Sequence, residues 1–410
     1  MENQIMLIPL HILPIPSVKG GAIETLVTGL LEENEKEELA EFVCTSIFDV
    51  DASNKKYEHS CIYYFDEEGY LLTNGKKVKQ AWKYYNLWIK LFHNRITYRL
   101  FGKRQVIEDF KIYQYYWIAR KHHVKAIVNE GREDDRFLAP LNWVVGEDNF
   151  YNHIHFERKE NIRARKSIHN SISISEYIKN QWVVDQSIKG KNVVLYNGID
   201  IERFNQGLSD DERSQYRQAL GVKESDILVF FCARIYPGKG VRELLDCFDL
   251  LKDKPIKLLL IGSKPTDNAQ DIGYAEDVLS RAQKMDNVIP LGYISYDKIH
   301  EYYAISNIVT IPSICQEGAG LVAIEGMASG LPLITTISGG MVEYVTDETA
   351  VQLPISEKLP SDLADAILDL AQNPEKRKAM GLAGKKRAAQ FSNNAYYHNF
   401  LQLLFDTDED

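Results

Sequence analysis

The sequence has few cysteines and no long apolar run, and each shortage excludes a class of protein. Its five cysteines are widely spaced along 410 residues, and no two lie at the spacing of a metal site. A sparse, odd-numbered set fits buried, reduced thiols better than a disulfide framework. No stretch approaches the roughly 20 consecutive apolar residues of a membrane-spanning helix. The short apolar run 5–10 lacks the basic leader and cleavage site of a signal peptide, so we expect a first strand and a cytoplasmic protein.

The sequence also lacks an excess of positive charge. Lys and Arg number 48 against 58 Asp and Glu, and the net charge of -10 argues against a nucleic-acid-binding protein. Residues 76–104 are an exception, with nine Lys or Arg, seven aromatic residues and no acidic residue. Four of the aromatic residues lie at helical spacing, at positions 82, 85, 88 and 92. Two interpretations stay open. In the first, a helix packs this aromatic stripe into the core of the protein. In the second, its basic face rests on an anionic membrane surface, which would place the protein at the inner face of the cell membrane.

Short aliphatic runs alternate with amphipathic stretches of helical length in the second half of the chain. Strands are predicted at 227–231, 256–261, 288–291, 308–311 and 333–337, and helices at 241–252 and 275–284. Strands that alternate with helices form parallel sheets, so we predict one doubly wound α/β domain over 191–391.

The first half of the chain begins in the same way. Strands are predicted at 5–10, 40–46, 124–129, 151–156 and 171–174, and a helix begins at Ile23. We predict a second Rossmann-like domain over 1–190, with an insertion at about 60–120. A C-terminal helix within 392–410 is expected to pack back on this domain. The predicted fold class is therefore α/β, with two doubly wound domains facing across a cleft, and open sheets of this kind bind ligands where their strands end.

The segment from Glu317 to Glu325 combines a glycine-rich loop with two carboxylates. After the strand-like run 308–312, Gly318, Ala319 and Gly320 open a predicted helix. The backbone N–H groups at such a helix start favour an anionic diphosphate. Carboxylates would repel this anion, so they fit better if Glu317 holds sugar hydroxyls and Glu325 holds ribose hydroxyls. The structural alternative is a helix with an acidic first turn, and the spacing alone is common by chance.

Two cations lie on an earlier turn from strand to helix, in the run 233–240. Arg234 can form a fork with two phosphate oxygens, and Lys239 acts as a compact point charge. Five positions apart on one turn, the two cations can converge on a single polyanion. For either cation alone, a solvated turn would be the better interpretation.

Together these motifs resemble the retaining glycosyltransferases of family 4, of the polysaccharide-biosynthesis type, over most of 190–345. The resemblance implies the two-domain fold called GT-B, with a C-terminal domain that binds the nucleotide sugar. It implies that Arg234 and Lys239 bind the diphosphate. It also implies that Arg234, Lys239 and Glu317 are catalytic residues. One departure limits the choice of donor, since Ala319 stands where the family has an aromatic residue. The matching donor-binding positions are Gly262, Tyr293, Ile294, Gly318, Ala319, Gly320, Leu321, Val322 and Glu325.

The resemblance is thinner in the first domain. Gly20 and Gly21 resemble a loop that approaches the donor, although two glycines also suit a plain turn before a helix. The family has a catalytic histidine after a strand of this domain, and we prefer His155 to His153. The loop 129–132 resembles an acceptor-side loop, and a surface turn explains it equally well.

The resemblance also implies a mechanism and partners. A sugar, hexosyl or deoxyhexosyl, would pass from a nucleotide-diphosphate sugar to a glycan or a lipid-linked glycan in surface polysaccharide assembly. Fixed cations would stabilise the leaving diphosphate, and therefore we expect neither a metal nor another cofactor. Two alternatives stay open: a sugar-nucleotide epimerase on the same fold, and a non-catalytic partner of another transferase.

Overall fold

A computed structural model of the chain describes residues 3–19, 21–67, 71–73, 76–77, 103–131, 141–157, 169–183, 190–264 and 268–405. The chain divides into two compact units. Unit 1 comprises Met1–Tyr196 and Tyr396–Asp410, and unit 2 comprises Asn197–Ala395. Each unit is built on a largely parallel sheet with helices, which confirms the predicted fold class.

Unit 1 contains a nine-stranded sheet. Its strands are β1 (Gln4–Ile8), β2 (Glu41–Ile47), β3 (Ser60–Phe65), β4 (Leu71–Thr73), β5 (Lys76–Lys77), β6 (Ala126–Glu130), β7 (Phe150–Ile154), β8 (Asn170–Ser173) and β9 (Asn192–Val194). Their order is β5-β4-β3-β2-β1-β6-β7-β8-β9, and only the β3–β4 and β4–β5 pairs are antiparallel among them. Its first helices are α1 (Ala22–Glu37), α2 (Val50–Asn54), α3 (Lys103–Lys121), α4 (Asn142–Val145) and α5 (Glu176–Val183).

Unit 2 contains a six-stranded, fully parallel sheet. Its strands are β10 (Ile227–Cys232), β11 (Ile256–Ile261), β12 (Val288–Gly292), β13 (Ile308–Ile311), β14 (Leu333–Thr336) and β15 (Ala350–Leu353). Their order is β12-β11-β10-β13-β14-β15. Its helices are α6 (Ile201–Asn205), α7 (Asp210–Ala219), α8 (Val241–Leu250), α9 (Ala269–Ala282), α10 (Ile299–Ala304), α11 (Leu321–Ala328), α12 (Met341–Tyr344), α13 (Leu359–Gln372) and α14 (Pro374–Ala388).

Both sheets reverse their strand order at one point. In unit 1 the reversal lies between β1 and β6, and in unit 2 it lies between β10 and β13. The chain leaves neighbouring strands in opposite directions at such a point, which opens a crevice at their carboxyl ends. The loops after β1, β6, β10 and β13 are therefore the natural places for a site.

The last helix, α15 (Asn393–Phe405), returns to unit 1. Tyr396, Tyr397 and Phe400 are buried in the same core as Phe42 of β2. The Tyr397 hydroxyl donates a hydrogen bond to Asn34 Oδ1 at 2.7 Å. The predicted packing of the C-terminal helix on the first domain is confirmed.

Two predicted segments differ in detail. Helix α9 begins at Ala269 rather than 275, because the Asn268 side chain accepts a hydrogen bond from the Gln270 N–H and caps the helix there. The region expected to be an insertion at 60–120 begins with β3, which pairs in parallel with β2 and so extends the main sheet.

Most of the basic aromatic segment, residues 78–102, lies outside the described residues, as does Gly20. Among the helices that are described, none combines the length and the apolar character needed to cross a membrane.

Candidate functional site

The crevice of unit 2 brings the two predicted motifs together. Arg234 lies two positions after the end of β10, and a short 3₁₀ turn (Pro237–Lys239) leads into α8. The loop after β13 ends at Gly320, which caps α11. Since β10 and β13 are neighbouring parallel strands, both loops leave the sheet at the same edge.

Glycine permits the close approach of these two loops. Gly240 has a φ of 66°, and a Cβ at this position would overlap the carbonyl oxygen of Pro312. The N–H groups of Ile314 and Cys315 both donate to the Gly238 carbonyl, at 2.9 and 3.1 Å. The backbones therefore touch, and a larger residue at position 240 would separate the motifs.

Lys239 and Glu317 form an ion pair across these loops. The Lys239 Nζ lies 2.6 Å from Glu317 Oε1, and both side chains are largely buried. The Ser313 hydroxyl donates to the same carboxylate oxygen. The Glu317 N–H donates to Ser338 Oγ at 3.1 Å, which fixes the backbone as well. Glu317 is thus held from three positions of the chain, and its carboxylate neutralises the Lys239 ammonium.

Arg234 and Lys239 both lie near one aromatic ring. The Arg234 guanidinium is 6.0 Å from the centre of the Tyr236 ring, and the Lys239 ammonium is 5.8 Å from it. Among the residues that the structure describes, no carboxylate lies within 4 Å of Arg234. Arg234 is thus a cation without an ion-pair partner in that part of the chain, beside a second cation that has one.

Glu325 is buried and lies beyond the first turn of its helix. It is only 8% exposed, in the second turn of α11, and its Oε2 accepts a hydrogen bond from the Tyr303 hydroxyl at 2.7 Å. Burial raises the pKa of this carboxyl to about 7, although Tyr303 and Arg203 oppose the shift. The carboxyl can therefore change its protonation near neutral pH.

Tyr303 is a residue that sequence reasoning missed. It is fully buried on α10 and stacks on Phe230 of β10, with ring centres 4.0 Å apart. No local sequence pattern predicts the hydrogen bond to Glu325, because 22 positions separate Tyr303 from Glu325.

The remaining predicted donor-binding positions surround this crevice. Gly262 follows β11, where a Cβ would overlap the Ala233 carbonyl, and its N–H donates to the Gly292 carbonyl at 2.9 Å. Tyr293 is 62% exposed just after β12, and Ile294 is half-buried. Gly320 is buried, whereas the positions flanking it are half-buried: Gly318, Ala319, Leu321 and Val322. Their roles stay predictions.

In unit 1, Gly21 ends the loop after β1. Its φ is 103° and it precedes α1, where a Cβ would overlap the Glu24 carboxylate. The position requires glycine for conformational reasons alone.

The two candidate histidines share one acid. Glu130 Oε2 lies 2.9 Å from His155 Nε2 and 2.9 Å from His153 Nδ1. The contact with His155 is a hydrogen bond, and the contact with His153 Nδ1 is at ion-pair distance. Glu130 was assigned only to an acceptor-side loop by the sequence. The register of β6 and β7 sets Glu130 opposite His153 and so brings it to the histidines, while the acceptor-side role of the loop stays a prediction.

Burial and charge act on this cluster in opposite directions. Burial alone would raise the pKa of Glu130, but the adjacent imidazoles outweigh it and hold the pKa at about 2. Burial, followed by the neighbouring His153, lowers the pKa of His155 to about 4. At neutral pH the cluster therefore contains a carboxylate and a neutral His155 ring.

The same three side chains are the candidate metal ligands in the described part of the chain. One donor atom from each of Glu130, His153 and His155 lies within 4.8 Å of the others. Two imidazoles and a carboxylate suit zinc chemically. The expectation of metal-independent chemistry stays a prediction.

Comparisons with known proteins agree with the motifs. Residues 212–387 match the family model described as glycosyl transferases group 1. An uncharacterized glycosyltransferase of Methanocaldococcus jannaschii is 32% identical over 222 residues, which is 54% of this chain and 55% of that protein. A capsular polysaccharide biosynthesis glycosyltransferase, CapM, of Staphylococcus aureus is 29% identical over 58% of this chain and 61% of its own length. The resemblance to glycosyltransferases is confirmed, and the chain spans a little over half the length of these curated relatives.

Solved structures share the whole fold. A glycosyltransferase from Rickettsia africae has a TM-score of 0.73 at 16% identity, with 98% of this chain and 97% of that one covered. Anabaena HepE in complex with UDP-glucose has a TM-score of 0.69 at 17% identity, with 98% and 99% covered. At such identities the likeness concerns the fold alone, which is that of the GT-B glycosyltransferases.

Proposed function

We propose that this chain is a retaining glycosyltransferase that moves a hexosyl or deoxyhexosyl group from a nucleotide-diphosphate sugar to a glycan or lipid-linked glycan. The observation that carries the proposal is the Lys239–Glu317 ion pair beside Arg234, at the crevice of a doubly wound sheet. The match to glycosyl transferases group 1 covers these residues and supports the assignment.

The donor diphosphate would compete with Glu317 for Lys239. A polyanion between Arg234 and Lys239 has more charge than one carboxylate, and therefore it can displace Glu317 from the ammonium. The released carboxylate would then accept hydrogen bonds from sugar hydroxyls. Glu325, one helical turn further into the unit, would hold ribose hydroxyls.

The chemistry would depend on fixed cations. As the bond to the sugar breaks, charge grows on the leaving diphosphate, and Arg234 and Lys239 stabilise it together with the amides that precede α11. The diphosphate itself takes the proton of the acceptor in a front-side displacement, so the anomeric configuration is retained. In this mechanism Glu317 binds sugar hydroxyls and does not attack the anomeric carbon, because the front-side displacement needs no carboxylate nucleophile. No metal is required by this mechanism.

Surface polysaccharide assembly is the pathway that we propose. One relative is named for capsular polysaccharide biosynthesis. A lipid-linked acceptor would also explain the basic aromatic segment 76–104 as a contact with an anionic membrane.

The donor-site assignment can be tested with matched variants. UDP-, GDP- and dTDP-sugars are first screened for thermal stabilisation of the protein, since a bound donor raises the melting temperature. Lys239→Ala and Glu317→Ala should then lower transfer by orders of magnitude, whereas Lys252→Ala and Glu357→Ala, on exposed positions of the same unit, should not. Near-normal turnover by both site variants would contradict the assignment.

Product analysis separates the alternatives. A transferase forms a glycoside of retained configuration only when an acceptor is supplied. An epimerase converts the donor sugar without an acceptor, and a non-catalytic partner does neither.

A further inference from the structure

We infer that Glu130 is the positioning residue of the histidine pair, and that it fixes the tautomer and the ring orientation of His155. The catalytic consequence of this inference rests on the proposed function, whereas the tautomer itself can be measured without any activity. The sequence places Glu130 in a loop that resembles an acceptor-side loop but assigns it no role toward the histidines, and it lies outside the matched region 212–387.

The backbone places the acid against both rings. Strands β6 and β7 are parallel neighbours with Glu130 opposite His153. His153 and His155 are two positions apart, so they project to the same face of β7 and their ring centres lie 4.1 Å apart. A single carboxylate oxygen on β6 therefore reaches both imidazoles at 2.9 Å.

The position is costly for an acid. Glu130 is 0% exposed, and its second oxygen, Oε1, has no hydrogen-bond partner among the described residues. Removing a carboxylate from water is strongly unfavourable unless its partners compensate. A purely structural role would be served better by an apolar residue of similar volume.

The hydrogen bond determines where the proton of His155 resides. An ionised carboxylate can only accept a hydrogen bond, so His155 Nε2 must carry the proton and donate it. In a neutral imidazole the other nitrogen, Nδ1, is then an acceptor. Glu130 thus presents the Nδ1 lone pair of His155 to whatever hydroxyl approaches that edge of the ring.

Glu130→Gln tests the inference, because it keeps the shape of the side chain and removes the charge. Its amide can accept from, or donate to, a ring nitrogen, so the preference for one tautomer should weaken. Imidazole ¹⁵N chemical shifts of the full-length protein, with His155 identified by comparison with His155→Ala, report the tautomer. We expect a single Nε2–H tautomer in the wild type and a mixture in Glu130→Gln.

Kinetics give a second readout. If the proposed function holds, Glu130→Gln should lower kcat about tenfold or more, as removing the outer partner of a metal-bound histidine does, while KM for the donor stays nearly constant. Glu130→Asp, which retains the charge, should recover part of kcat and of the tautomer preference. Glu58→Gln, on an exposed position of unit 1, is the matched control.

The outcomes are distinct. An unchanged His155 tautomer in a folded Glu130→Gln protein overturns the inference, whatever the activity. Failure of every donor in the wild type, with the tautomer shift present, refutes the proposed function and leaves the positioning role intact. One equivalent of zinc in the purified wild type, lost from both Glu130→Gln and His155→Ala, makes Glu130 a metal ligand and overturns the inference as well.

Discussion

Replacing Glu325 by glutamine should stabilise unit 2 at alkaline pH, although it removes a proposed ligand of the donor. The carboxyl is buried against Tyr303 and interacts electrostatically with Arg203, Tyr296 and Cys232. Burial disfavours the ionised form, and this raises the pKa from 4.5 to about 7. Glutamine has nearly the same shape and does not ionise.

The magnitude follows from proton linkage. At pH 8 the unfolded carboxyl ionises freely, whereas ionising it in the folded protein costs the free energy between pKa 4.5 and 7, about 3 kcal/mol. At pH 5 the folded carboxyl is protonated, and the loss of folding free energy caused by its raised pKa falls to about 1 kcal/mol. The folded pKa is the higher one, so stability declines as pH rises from about 4.5 to 7.

Melting temperatures of wild type and Glu325→Gln at pH 5 and pH 8 measure this difference. For a unit of this size, 3 kcal/mol corresponds to a rise of roughly 6–12 °C at pH 8. Glu357→Gln, an exposed carboxyl of the same unit, should leave the melting temperature almost unchanged at both pH values. The reasoning is refuted if Glu325→Gln melts at or below the wild type at pH 8, or if its gain is the same at pH 5.

Three further predictions concern ligand binding, loop packing and the basic segment. If Glu325 accepts hydrogen bonds from ribose hydroxyls as a carboxylate, lowering the pH from 8 to 6 protonates it and should weaken binding of the donor nucleotide by the wild type about tenfold. The same pH change should not produce this additional loss in Glu325→Gln, and titration calorimetry measures both affinities. Gly240→Ala should lower the free energy of unfolding in denaturant by at least about 2 kcal/mol and abolish donor binding, because position 240 has a positive φ and its new Cβ would overlap the Pro312 carbonyl. Gly273→Ala is the control: it lies in α9 with open space around it and should raise the free energy of unfolding by about 0.5–1 kcal/mol. Removing positive charge within residues 76–104, at Lys83, Lys90 and Arg99, should weaken cosedimentation with phosphatidylserine vesicles by about 1 kcal/mol per charge, and a wild type that never binds such vesicles would exclude the membrane contact.

The sequence by itself predicted five strands of each sheet and the two local motifs of the unit 2 crevice. The runs that became β10, β11 and β13 are apolar on both faces, as strands covered by helices on both sides must be. Two motifs could be recognised from the sequence because each is defined by a local spacing: Arg234 and Lys239 on one turn, and Glu317 to Glu325 at a helix start. Such patterns depend on residues a few positions apart and need no knowledge of the fold.

Tertiary structure alone decided which of these groups meet. The pairing of β10 with β13 joins Lys239 to Glu317 across 78 positions, and the register of β6 and β7 joins Glu130 to histidines 23 and 25 positions away. Tyr303 reaches Glu325 in the same non-local way. Strand order and register arise from packing of the whole sheet, which no local periodicity encodes, and burial follows from the same packing. The protonation of Glu325, Glu130 and His155 was therefore beyond the sequence, because burial and neighbours, rather than residue type, set each pKa.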